Sequence, residues 1–118
     1  MTGTRTSLFS NLPDPPGGGE IAEHVVDRPA GFIERIVSRG FTGPKEGWFD
    51  QDWDEWVVVL RGWGTVLMED GEEHTLGEGE HLLIEAHRRH KVVSTSSAPS
   101  CLWLAVHFRG TGQGSESR

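Results

Sequence analysis

Residues 49–60, FDQDWDEWVVVL, set an amide and four carboxylates directly before an apolar run. Side chains alternate along an extended chain. Asp50, Asp52 and Asp54 then share one face, while Phe49, Gln51, Trp53 and Glu55 share the other, which continues into Val57 and Val59. The aspartates are expected in solvent. Glu55 is expected on the apolar side, where a carboxylate is costly unless it is paired, hydrogen-bonded or bound to a metal. Partners of the right chemistry lie downstream. AHRRH offers His87 and His90, and the run CLWLAVHF ends near His107. Carboxylate and imidazole together suit Fe, Ni, Mn or Zn. Four residues of straight strand cover roughly 13 Å, so Gln51 and Glu55 can converge only if the chain bends across Asp52-Trp53-Asp54.

Around these groups, Phe49, Trp103 and His107 are candidates for the wall of a substrate pocket, and Trp48, Trp53 and Trp63 are of the same type. Tryptophan packs barrels and interfaces equally well. His24, His74 and His81 fall where exposed strand or hairpin residues are expected. Arg88, Arg89 and Lys91 read as a solvated turn balancing an acidic chain; an anion-steering rim is the alternative. The glycines form no phosphate-cradling loop, because no helix follows them. Cys101, the single cysteine, sits in an apolar run and reads as a small buried hydrophobe.

The elements that would position these groups are strands. FIERIVS, WVVVL, GTVLMEDGEEHTL, HLLIEAH, KVVSTS and CLWLAVHF are short, rich in strand formers and separated by turn residues roughly every ten positions. Asp70-Gly71 is a two-residue hairpin signal, and no stretch keeps a helical period. Several strands are apolar on both faces, which suits a closed barrel with its outer wall against something else, most simply a second copy in a homodimer. PDPPGGG cannot hold a helix or a central strand. Residues 1–19 and 109–118 are therefore expected as flexible tails around one domain over 20–108. The net charge of −7 among 118 residues argues against nucleic acid or anionic membrane as the partner. No run is long enough to span a bilayer, and no secretory signal is evident. A cytoplasmic protein is the simplest expectation.

The motif spacing resembles that of the cupin superfamily, small β-barrels described by two motifs. The first runs Gly, five residues, His-x-His, three or four residues, Glu, six residues, Gly. Gly43, Phe49, Gln51, Glu55 and Gly62 meet that spacing, with Phe49 and Gln51 on the two histidine positions. The second runs Gly, five residues, Pro-x-Gly, two residues, His, three residues, Asn. Gly79, Glu85, His87, His90 and Ser94 meet it, and His90 falls on the histidine. The resemblance implies an all-β, single-domain jelly-roll barrel (a double-stranded β-helix). It also implies a divalent transition metal held by Gln51, Glu55, His87 and His90, in a protein that acts on or binds a small molecule. The competing expectation is a metal-free barrel that binds or senses a small molecule, with Phe49 making one side of the cavity apolar.

Overall fold

The computed structural model describes residues 5–109, all in strands and loops. The strands are β1 (Glu20–Arg28), β2 (Gly31–Ser38), β3 (Asp54–Arg61), β4 (Gly64–Met68), β5 (Glu73–Leu76), β6 (His81–Ile84), β7 (His90–Thr95) and β8 (Cys101–Phe108). They form two antiparallel sheets, ordered β1-β2-β8-β3-β6 and β5-β4-β7. Among the described residues no helix is long and apolar enough to cross a membrane.

Register explains what faces inward. Across β2, β8, β3 and β6 the residues Phe32, His107, Glu55 and Ile84 stand side by side. The next inward row is Glu34, Ala105, Val57 and Leu82, and the one after it holds Ile36, Trp103 and Val59. The smaller sheet answers with Val66, Met68 and Leu76, which join Val57, Val59, Ile84, Trp103 and Ala105 in the core. Gly64 makes room here: a Cβ at that position would overlap the indole of Trp103. The core is thus closed at the Cys101 end and opens toward His107 and Glu55.

Turns separate the strands where the glycines fall. Gly62 between β3 and β4 has φ 78°, and Gly79 before β6 has φ 84°, a region glycine enters without the penalty of a Cβ. The β4–β5 hairpin closes on three residues rather than the two expected. Met68 N–H donates to the Glu72 carbonyl at 2.8 Å, leaving Glu69, Asp70 and Gly71 in the loop with Gly71 at φ 98°. A glycine in that position is the usual companion of a three-residue loop.

The stretch expected as an N-terminal tail does more than its composition suggests. Arg35 on the outer face of β2 donates to the carbonyls of Leu8, Ser10 and Asn11 and to the Glu23 carboxylate. Gly18 N–H donates to the Arg39 carbonyl at 2.7 Å, and Arg39 N–H donates to the Gly19 carbonyl at 2.9 Å, just before β1. Pro15 is fully buried, and Val37 and Leu102 beneath this segment keep 4 % and 1 % of their surface. Part of the apolar outer wall is therefore covered by the chain itself. Of the C-terminal tail, only Arg109 lies within the described residues; its guanidinium sits over the Trp53 ring at 4.3 Å.

Candidate functional site

Between the sheets lies a cavity of about 220 Å³, lined by Glu20, Ala22, Glu34, Ile36, Phe49, Gln51, Glu55, Val57, Val66, Ile84, His90, Val92, Trp103 and His107. At about 30 Å³ per water, it has room for roughly seven waters or a ligand of similar size.

Glu55 reaches it from the second residue of β3, at 9 % exposure. The bend that Gln51 needs falls at Asp52 and Trp53, just before that strand. Gln51 Nε2 then donates to Glu55 Oε1 at 2.9 Å. Phe49 arrives by a different route. Residues 43–49 run beside β7, with Gly43 bridged to Val92 and Phe49 bridged to His90. Paired backbone hydrogen bonds of 2.8 and 3.1 Å lock Phe49 against His90, and their rings stand 5.6 Å apart.

His90 keeps 4 % of its surface. Its Nδ1 lies 2.9 Å from the Arg88 carbonyl. A carbonyl can only accept, so Nδ1 carries the hydrogen, and in the neutral ring Nε2 holds a lone pair. That nitrogen stands 3.9 Å from Glu55 Oε1. A carboxylate and an unprotonated imidazole nitrogen facing each other in this way can take a proton from a bound molecule and return it.

Three lining groups lie beyond these. His107 Nε2 is 2.9 Å from Glu34 Oε1, so it donates there, while buried Nδ1 finds no hydrogen-bond partner. The His107 ring stacks on Phe32 at 4.3 Å, and Phe32 stacks on His24 at 4.6 Å. His24 in turn approaches Glu34 Oε2 at 3.5 Å. At the open side of β1, Glu20 accepts from the Ser38 hydroxyl at 2.7 Å, and Ser38 accepts from the Trp103 indole at 3.0 Å. Glu20 keeps much of its surface accessible, yet the surrounding protein withdraws enough water to raise its pKa. The fields of Glu34 and Glu55 raise it further, against the Ser38 hydrogen bond.

A family model described as Cupin domain matches residues 42–107, more than half of the chain. This chain is a cupin. It is 32 % identical to a proposed mannose-6-phosphate isomerase from Ralstonia eutropha JMP134, over 92 % of this chain and 100 % of that one, with a TM-score of 0.83. A cupin superfamily protein from Desulfitobacterium hafniense DCB-2 shares its fold at 12 % identity and TM-score 0.74, over 93 % and 95 % of the two chains. So does the polyketide cyclase RemF from Streptomyces resistomycificus, at 17 % identity and TM-score 0.68, over 92 % and 81 %. No curated protein matches this sequence.

The cupin's candidate site residues separate into two groups. Gln51, Glu55, His90, Phe49, Trp103 and His107 line one cavity. His87 does not. It takes a positive φ of 64° at the turn before β7, its side chain is 63 % exposed, and it approaches Asp50 Oδ1 at 2.7 Å and Asp52 Oδ1 at 3.4 Å. The left-handed turn throws its Cβ away from the cavity, which corrects its place in the ligand set. Asp50 is thereby held below the usual carboxylate range, first by the His87 hydrogen bond and then by Arg89. Asp54 is not merely solvated either; it accepts from the Ala86 N–H at 2.8 Å and ties the same turn to β3.

The remaining donors fit a metal ion poorly. Phe49 presents a phenyl ring where the family motif has its first histidine. Gln51 turns its amide nitrogen, not its oxygen, to Glu55. His107 is committed to Glu34. No group of three metal-ligating His, Cys, Asp or Glu side chains comes together among the described residues. Glu20 and Glu34 are the charged lining residues that the sequence reading passed over. Glu34 carried a usable signal, because alternation in FIERIVS sets it between Phe32 and Ile36 on an apolar face.

Proposed function

We propose that this cupin binds a small molecule in the cavity between its sheets through Glu55, Gln51 and His90, by contacts that need no metal ion. The observation that carries the reading is the Gln51–Glu55–His90 arrangement. The carboxylate is already held by an amide, and the imidazole leaves a free lone pair facing it across 3.9 Å. Phe49, Val57, Val66, Ile84 and Trp103 supply the apolar walls that a small-molecule pocket requires. A sugar phosphate, as named for the Ralstonia relative, and a polyketide, as named for the Streptomyces neighbour, are both small molecules within this reading. The His90–Glu55 pair supplies the means for proton transfer should the ligand turn over.

A second reading has its own support. His90 Nε2 and Glu55 Oε1 are two donors of the kind that hold Fe, Ni, Mn or Zn, and a divalent ion there would polarise a ligand oxygen. Elemental analysis of untagged protein purified without chelator separates the two. Metal below about a tenth of an equivalent, with fragment-sized ligands shifting the NMR signals of Trp103 and Ile84, supports the first. Near-stoichiometric metal, lost in Glu55→Ala, overturns it.

Association with a second copy belongs to the same proposal. Ile33, Val106, Trp56 and Leu83 form an apolar row on the outer face, and Leu83 is 47 % exposed. Leu83→Asp is expected to shift a dimer to monomer in size-exclusion chromatography with light scattering. A wild-type monomer at high concentration removes this part of the proposal.

A further inference from the structure

Most polar atoms left over inside the cavity are acceptors. Gln51 occupies one oxygen of Glu55, and no hydrogen bond reaches the other. Ser38 occupies one oxygen of Glu20, and no hydrogen bond reaches the other. His90 is nine-tenths buried or more; its N–H is given to Arg88, and its bare Nε2 faces Glu55. The two carboxylate oxygens accept hydrogen bonds and donate none, and Nε2 of the neutral imidazole does the same. Most donors that face the cavity are spent: His107 on Glu34, the Trp103 indole on Ser38, and one of the two Gln51 N–H groups on Glu55. Neither lysine nor arginine lines the wall.

Charge points the same way. Glu20, Glu34 and Glu55 converge on one small volume, opposed by imidazoles alone. The upward pressure on Glu20 comes mainly from lost water, with Glu34 and Glu55 adding to it. A dianionic phosphate would meet mainly acceptors and like charge. A group that offers several N–H bonds and a positive charge would satisfy all three free atoms, and the Phe49 and Trp103 rings would cover its carbon skeleton.

We propose that the cavity selects a small organic nitrogen cation, an ammonium, amidinium or guanidinium, and rejects phosphorylated ligands. This rests on the small-molecule reading and narrows it. The test uses four probes of similar size: methylguanidinium, n-propylammonium, glycerol and glycerol phosphate. Each is titrated into the full-length, isotope-labelled chain while the Trp103 indole and His90 ring signals are followed. The two cations are expected to move both signals saturably, and glycerol and glycerol phosphate to bind at least about tenfold more weakly. Glu55→Gln should weaken cation binding roughly tenfold, the scale of a lost hydrogen bond to a charged group. Glu20→Gln, at the accessible edge, gives a second variant that keeps the Ser38 contact possible and should weaken it in the same direction. Glycerol phosphate binding as tightly as the cations overturns this proposal and leaves the small-molecule reading standing. Zinc moving the same signals at one equivalent, and displacing the cations, overturns it in favour of a metal. Silence from all four probes overturns both readings.

Discussion

Two substitutions put the metal question to the protein directly. Phe49→His with Gln51→His restores imidazoles at both motif positions. Ligand atoms bonded to one zinc at about 2.1 Å sit roughly 3.4 Å apart, and two imidazoles sharing it have ring centres roughly 5–6 Å apart. The separations already present are close to those: 3.9 Å between Glu55 Oε1 and His90 Nε2, and 5.6 Å between the rings of Phe49 and His90. The double variant should therefore bind a divalent ion without moving the backbone. An ion at 100 times its Kd stabilises the folded state by about 2.7 kcal/mol. The described fold has 105 residues, from 5 to 109. At about 2.1 cal/mol/K per residue its unfolding entropy is about 0.22 kcal/mol/K, so the gain converts to a Tm rise of about 12 °C. Differential scanning calorimetry with and without 100 µM nickel or zinc reads it. The wild type should move by less than about 2 °C under the same conditions. A wild-type rise comparable to that of the variant would refute the reasoning, because it would show that Glu55, His90 and their neighbours already make a working site.

Other consequences follow from packing and charge. Gly64→Ala puts a methyl group into the Trp103 indole; it should cost about 1–3 kcal/mol in urea unfolding and alter tryptophan fluorescence. Arg35→Ala releases three backbone carbonyls of the N-terminal segment. A loss of about 2 kcal/mol is expected, together with limited proteolysis within residues 5–19 that the wild type resists. Glu20 has a folded pKa raised above 4.5. Its contribution to stability is full below the unfolded value and is lost as pH rises through the folded one. Glu20→Gln should then raise Tm at pH 7, with the gain vanishing below about pH 4.5; an equal gain at pH 4 would contradict the sign.

Much of the fold was readable because its signals are local and repeated. Glycine is needed at Gly62 and Gly79 for φ near 80°, and alternation sends Val57 and Val59 inward with Glu55. Both signals survive in the motif spacing whatever the ligands become. The same alternation found Glu55 and, applied to β2, would have found Glu34. Strand pairing decides the rest, and pairing is non-local. Glu34 meets His107 because β2 lies beside β8, 73 residues apart in sequence. His87 sits only three positions before His90, yet one left-handed residue turns it outward. The N-terminal segment is anchored through its carbonyls, which every residue possesses, so side-chain composition says nothing of it.

The difference between what was and was not legible bears on function. A barrel of this kind is specified by turns and register, and neither depends on what the inward polar residues bind. The histidine positions of the motif can therefore hold Phe49 and Gln51 while the shell stays intact. What changes is the cavity's chemistry. A phenyl ring and an amide in place of two imidazoles remove two neutral metal donors and leave three carboxylates lining the cavity. An interior so charged is stable only if water, protons or a cation supplies the balance, which makes the choice of counter-charge, rather than the fold, the property on which the proposed function turns.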